Sequence, residues 1–82
     1  MQQDLIKLIS DAKKLGLNQE LINCALEYLE HKEYGLALDT ILEQLYEYDI
    51  TIDKSFHELA NSILDKMNQD KNTYSYLEKL CK

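Results

Sequence analysis

The sequence predicts an all-α fold, a compact bundle of four to five short helices that forms a single domain over residues 1–82. Proline is absent and glycine occurs only twice in 82 residues, which favours helices joined by short turns. Apolar residues also recur at the spacing of an α-helix along most of the chain. With 45% hydrophobic residues, the chain is expected to fold, although a domain of this size buries only about 60–65% of its unfolded surface.

The first two helices are predicted from their apolar stripes and from the residues at their ends. Gly16 is expected to stop the first helix and Asn18 to cap the second. The second helix is expected to fray near His31 and Lys32. The residues expected to face the core are Leu5, Ile6, Leu8, Ile9, Ala12 and Leu15 in the first helix, and Leu21, Ile22, Ala25, Leu26 and Leu29 in the second.

The third helix is predicted to run from about Glu33 to about Tyr48, with one apolar stripe. Residues 48–52 then break the helical period. Their alternating β-branched side chains indicate an extended connector that places Ile50 or Ile52 in the core. The stripe of the third helix consists of Ala37, Leu38, Ile41, Leu42 and Leu45.

The last part of the chain is predicted to contain a fourth helix and a short terminal one. Asp53 is expected to cap the fourth helix, and Asp70 the last. Asn68 and Gln69 are expected to end the fourth helix. The apolar residues are Phe56, Leu59, Ala60, Ile63, Leu64 and Met67 in the fourth helix, and Tyr74, Leu77, Leu80 and Cys81 in the last.

Negative charge is concentrated in one segment of the chain. Residues 27–53 contain eight acidic side chains and one basic one, Lys32, which gives a charge of −7, whereas the rest of the chain sums to +1 and the whole to −6. Four of the six tyrosines fall in the same segment. A concentrated anionic, tyrosine-rich surface suits docking onto a basic partner.

The third helix carries the acidic residues that are most suggestive of an interface. Asp39, Glu43 and Glu47 lie at i, i+4 and i+8, opposite the apolar stripe, and each adjacent pair costs about 0.2–0.5 kcal/mol through repulsion. No lysine at i±3 or i±4 relieves them. A solvated helix face is the alternative interpretation. The predicted partner-binding residues are Glu33, Tyr34, Leu36, Asp39, Glu43, Tyr46, Glu47, Tyr48 and Asp49.

Candidates for metal binding and catalysis are weak. Glu27 and His31 lie at i and i+4 on one helix, but a metal site needs three or four ligands, and His57 is distant in sequence. Cys24 and Cys81 lack CxxC spacing and are expected to be reduced core residues. We therefore expect no catalytic residue, no metal and no cofactor.

Three further classes of protein are disfavoured. An acidic chain without arginine is a poor nucleic-acid binder. No serine lies in the Asp-Ser-Leu setting that an acyl carrier protein needs, Ser55 being the nearest to a helix start. No run of about 18 apolar residues is present, and the first residues do not resemble a secretion signal. We therefore expect a cytoplasmic protein that contacts neither nucleic acid nor membrane.

The middle of the chain resembles a known family. The stretches LEHKEYGLALD, residues 29–39, and LEQLYEYDI, residues 42–50, are similar to small helical immunity proteins of the Maf type, found beside polymorphic and contact-dependent growth inhibition toxins of bacteria. The resemblance covers about half the chain. It implies an antitoxin that binds one cognate toxin domain as a 1:1 heterodimer, commonly a nuclease of the EndoU RNase type.

The expected function is therefore that of a non-enzymatic immunity protein. A nuclease holds a polyanionic substrate, so its cleft is basic, and an acidic surface would compete with RNA for it. The alternative is a regulatory adaptor domain that uses the same acidic surface to bind a basic host protein.

Overall fold

Helices account for most of the chain, as the composition predicts. The computed structural model describes residues 2–81, apart from the side chain of Lys71. Within these residues the regular elements are α1 (Gln2–Leu15), α2 (Gln19–Glu30), α3 (Tyr34–Glu47), α4 (Lys54–Lys66), a 3₁₀-helix (Lys71–Tyr74) and α5 (Leu77–Leu80). The prediction of a small all-α bundle is confirmed.

The predicted helix caps are present. The Asn18 side chain accepts a hydrogen bond from the backbone N–H of Glu20 at 2.7 Å, and Asp53 accepts one from the N–H of Phe56 at 2.7 Å. Gly16 follows α1 with φ +111°, a conformation that only glycine adopts without strain. These caps satisfy backbone groups that a helix end leaves without partners.

Three helices end in left-handed residues other than glycine. Lys32, Asp49 and Asn68 have φ of 59°, 51° and 55° and follow α2, α3 and α4. At the end of α2, the Glu33 N–H donates to the Tyr28 carbonyl at 2.9 Å, and equivalent bonds close α3 and α4. α2 therefore ends at Glu30 in a hydrogen-bonded turn, where fraying near His31 was expected.

Helix α3 contributes a complete apolar stripe to the core. Its whole predicted stripe, Ala37, Leu38, Ile41, Leu42 and Leu45, is fully buried. α3 packs against α1, α2 and α5, while α4 packs against α1. Since one side of α3 is buried in the core, the residues on its other side are exposed to solvent or contact the C-terminal residues of the chain.

Three predicted core positions are wrong. Ile6 of α1 is 46% exposed and Leu26 of α2 is 40% exposed, because both lie at the edge of their stripes, beyond the arc that the neighbouring helices cover. Cys24 is also exposed, whereas Cys81 is half-buried, and both thiols are free. The stripes therefore contain more apolar surface than this small bundle covers.

The C-terminal segment, residues 70–81, is held beside α3 by the connector that precedes α4. Ile52 is buried, as expected for one of the two connector isoleucines, and its N–H donates to the Leu80 carbonyl at 3.0 Å. Ile52 and Cys81 form an isolated parallel β-bridge. The single helix predicted after Asp70 is divided, since Asp70 caps the 3₁₀-helix and α5 begins only at Leu77.

Candidate functional site: an acidic and aromatic face on helix α3

Helix α3 exposes large apolar side chains on the side that faces away from the core. Leu36 is 48% exposed, Tyr46 47%, and Tyr48, the residue after the helix, 61%. Together with Ile6 and Leu26, they are the large hydrophobic side chains that are exposed to solvent among the described residues. We call the surface formed by Leu36, Asp39, Glu43, Tyr46, Glu47 and Tyr48 the α3 face.

Two of the three acidic residues on the α3 face are open to solvent. Glu43 and Glu47 are exposed, and Asp49 is exposed in the turn that follows the helix. Their positions on the outer side of α3 agree with the prediction. Their negative charges lie at the surface and add to the negative potential in front of the face.

Asp39 differs from the other two acidic residues of the α3 face in its surroundings. It is half-buried, and its carboxylate accepts a short hydrogen bond from the hydroxyl of Tyr74, which lies 35 residues later in the chain. Tyr74 was predicted only as one of the apolar residues of the last helix. Through this hydrogen bond Asp39 links α3 to the C-terminal segment. The residues next to Asp39 in the sequence give no indication of this structural role.

The C-terminal segment enlarges the α3 face with two tyrosines. The rings of Tyr46 and Tyr76 lie 4.9 Å apart and are tilted by 49°, and those of Tyr74 and Tyr76 lie 6.2 Å apart. Tilted ring pairs at these distances are a favourable arrangement. Sequence reasoning missed Tyr76 altogether. The only signal was the Tyr-Ser-Tyr run at residues 74–76, which does not indicate what it contacts.

The hydroxyls of this tyrosine cluster are in an anionic environment. Burial, followed by the charges of Glu43 and Asp39, raises the pKa of Tyr76 to about 12. Burial, the hydrogen bond to Asp39 and the same two negative charges raise the pKa of Tyr74 above its usual 10. Both tyrosines therefore stay neutral at physiological pH. The Tyr76 hydroxyl oxygen is buried and has no hydrogen-bond partner within the described part of the chain.

No acidic residue of segment 27–53 forms an ion pair with a side chain that the structure describes. Among the side chains that the structure describes, the ion pairs are Lys7–Asp11 at 3.2 Å and Lys66–Asp4 at 2.5 Å. Both pairs lie outside segment 27–53. Helices α2 and α3 also have no basic residue in their last turn, where a cation would be favourable. The negative potential of this segment is therefore not neutralised by the described side chains.

The remaining predicted partner-binding residues, Glu33 and Tyr34, lie at the start of α3. Glu33 is exposed, whereas Tyr34 is half-buried and packs against the core. At 1.5 Å rise per residue, the 14 residues of α3 separate them from Tyr48 by about 20 Å. One interface of ordinary size, with about 800 Å² on each partner, can span that distance.

Glu27 and His31, the pair weighed as metal ligands, are both exposed and line a groove between α1 and α2. Across residues 2–81, no three or more His, Cys, Asp and Glu side chains are grouped so that they could hold a metal ion. None of the helices described is long and apolar enough to cross a membrane.

In comparisons with known proteins, the chain matches no family model, no curated protein and no solved structure at a significant level.

Proposed function

We propose that this protein is a non-catalytic immunity protein, which binds a bacterial toxin domain in the cytoplasm and neutralises it as a 1:1 heterodimer. The proposed toxin is a nuclease, of the EndoU RNase type or another, and the proposed contact surface is the α3 face. One observation carries the proposal. Acidic residues that have no ion-pair partner among the described side chains lie beside exposed apolar residues, Leu36 and Tyr46 on α3 and Tyr48 directly after it. The likeness of residues 29–39 and 42–50 to Maf-type immunity proteins supports the choice of toxin.

Charge supplies the first part of the argument. Glu43 and Glu47 are exposed and have no ion-pair partner among the described side chains, so binding a basic cleft would replace repulsion within α3 by attraction between the two proteins. Such complementarity increases association rates, and this increase falls with salt. An inhibitor must capture the toxin before it reaches its substrate, so a fast association rate suits this role.

Apolar and aromatic surface supplies the second part. Tyrosine is enriched among the residues that dominate binding energy, and truncation of such an anchor costs about 2 kcal/mol or more. Tyr46 is already positioned by its contact with the Tyr76 ring. An anchor that is ordered before binding loses less side-chain entropy when the complex forms.

The proposal predicts that a toxin gene adjoins this one, and co-expression with that toxin tests the proposal. Glu43→Lys and Glu47→Lys, alone and combined, should abolish growth protection, because each places a cation against a basic cleft, and like charges facing each other across an interface are strongly unfavourable. Glu58→Lys, at an exposed position of α4, makes the same change of charge and should protect normally. Asp39 is left intact because it holds Tyr74.

Binding kinetics separate the two contributions. Glu43→Lys should mainly lower the association rate and its salt dependence, whereas Tyr46→Ala and Leu36→Ala should mainly raise the dissociation rate. Folded variants that protect cells at native expression level would exclude the α3 face. If no toxin gene adjoins this one and the purified protein instead captures a basic host protein through the same residues, the function would be that of an adaptor.

A further inference from the structure

A second surface, separate from the α3 face, combines exposed apolar residues with acidic residues that have no ion-pair partner among the described side chains. Ile6 and Leu26, which are both exposed, line a groove between α1 and α2 with a volume of about 610 Å³. Glu27, Glu30 and His31 line it as well. We call this surface the α1–α2 groove.

We propose that the α1–α2 groove binds a basic amphipathic helix of a partner protein. The helix would place aliphatic side chains on Ile6 and Leu26, and lysine or arginine side chains beside Glu27 and Glu30. This second docking site is independent of the proposed immunity function, since none of its residues belongs to the α3 face.

Charge complementarity identifies the occupant as basic. Glu27 and Glu30 lie in the last turns of α2, next to the negative end of the helix dipole, and that last turn has no basic residue. Neither takes part in an ion pair with a described side chain. The groove lining contains no lysine. A cationic side chain placed here would interact favourably with both carboxylates and with the dipole.

The geometry of the groove favours a helix over an extended strand. Extended peptides gain affinity by pairing with an exposed sheet edge, and the only β-pairing within residues 2–81 is the single bridge between Ile52 and Cys81. The backbone of α1 and α2 is occupied by intrahelical hydrogen bonds. Contact with the groove must therefore come from side chains, as when an amphipathic helix lies in an apolar groove with anchors at i, i+3 or i+4.

A titration with a synthetic peptide tests the inference. The probe is an amidated peptide of about 14 residues, four turns of helix, with leucines on one face and lysines on the other. Two controls accompany it: a peptide of the same composition with leucines spread around the helix, and one with glutamates in place of the lysines. Amide chemical shifts of the full-length protein are followed by NMR during each titration.

We expect the probe peptide to shift the resonances of Ile6, Leu26, Glu27 and Glu30, and both controls to bind at least tenfold more weakly. Ile6→Ala and Leu26→Ala should each weaken binding about tenfold. Glu27→Gln and Glu30→Gln should weaken it at low salt and much less at high salt. Leu36→Ala, which removes an equally exposed leucine from α3, should change the affinity of the groove by less than twofold.

Several results would overturn the inference. They are shifts confined to the α3 face, equal binding of the peptide with dispersed leucines, no binding at millimolar concentration, and groove variants that bind normally. Analytical ultracentrifugation provides a further check: a concentration-dependent dimer that Leu26→Ala abolishes would assign the groove to a second copy of this chain. Each of these results would leave the proposed role of the α3 face standing, because that role is tested by toxin protection.

Discussion

Removing the hydroxyl of Tyr74 or of Tyr76 should have opposite effects on stability, although the two residues are only two positions apart. The Tyr74 hydroxyl donates a hydrogen bond to Asp39. The Tyr76 hydroxyl oxygen is buried and has no partner among the described residues. Tyr74→Phe therefore removes a hydrogen bond. Tyr76→Phe removes a buried hydroxyl that has lost its hydrogen bonds to water on folding and gains none from the described residues.

The expected magnitudes follow from these surroundings. A hydrogen bond to a charged group contributes about 1.5–3 kcal/mol, and because Tyr74 and Asp39 are only half-buried, Tyr74→Phe should cost about 1–2 kcal/mol. An unpaired buried hydroxyl costs about 1–3 kcal/mol. Tyr76 is itself half-buried, so Tyr76→Phe should increase the free energy of unfolding by about 0.5–1 kcal/mol.

Urea denaturation at pH 7, followed by circular dichroism, measures both effects. In a domain of this size, 1 kcal/mol corresponds to about 4–8 °C in Tm, so thermal unfolding should show Tyr74→Phe below the wild type and Tyr76→Phe above it. Both variants change tyrosine to phenylalanine in the same segment, so effects on the unfolded chain should be similar and largely cancel in the comparison.

A double-mutant cycle completes the test. Tyr74→Phe combined with Asp39→Ala should cost clearly less than the sum of the two single changes, because the second change removes a bond that the first has already broken. Destabilisation by Tyr76→Phe of more than about 1 kcal/mol would show that its hydroxyl is hydrogen-bonded in solution. Equal effects of the two tyrosine variants would refute the reasoning.

Three further predictions concern pH, helix capping and backbone conformation. The pKa values of Tyr74 and Tyr76 are raised on folding, so ionisation of these hydroxyls destabilises the folded state. Their effect on the free energy of unfolding is constant below about pH 10, and the free energy then falls as pH rises through the folded pKa values. Urea titrations from pH 8 to 12 should show this loss, and it should be smaller in the two phenylalanine variants. Asp53→Ala removes the cap of α4 and should lower the free energy of unfolding by about 1 kcal/mol, whereas Asp53→Asn should cost less in the same urea assay. Gly16→Ala should lower the free energy of unfolding by about 1 kcal/mol, measured by thermal unfolding, because alanine is strained at a φ of +111°. No atom lies within 4 Å of the added Cβ, so a steric clash does not contribute. Gly35→Ala, at a position in helical conformation, should cost less or stabilise the protein.

The sequence determined the helices because the interactions that define them are local. The caps at Asn18 and Asp53 bond to backbone two and three residues away, and the buried stripe of α3 repeats within single turns. Such signals need no knowledge of neighbouring elements, so the helix order and the central apolar stripe could be predicted directly. The exposure of Leu36, Tyr46 and Tyr48 could be predicted as well, since these residues lie off that stripe.

Only the tertiary structure decided which side chains from distant parts of the chain meet. The hydrogen bond between Tyr74 and Asp39 joins residues 35 positions apart, and the ring pair of Tyr46 and Tyr76 forms because the C-terminal segment returns to α3. Likewise, periodicity placed Ile6 and Leu26 on apolar stripes, but the arc of each helix that its neighbours cover left them exposed. The spacing of apolar residues along one helix defines an apolar face of that helix. Whether each residue of the face is buried depends on the positions of the other helices, which no local signal specifies.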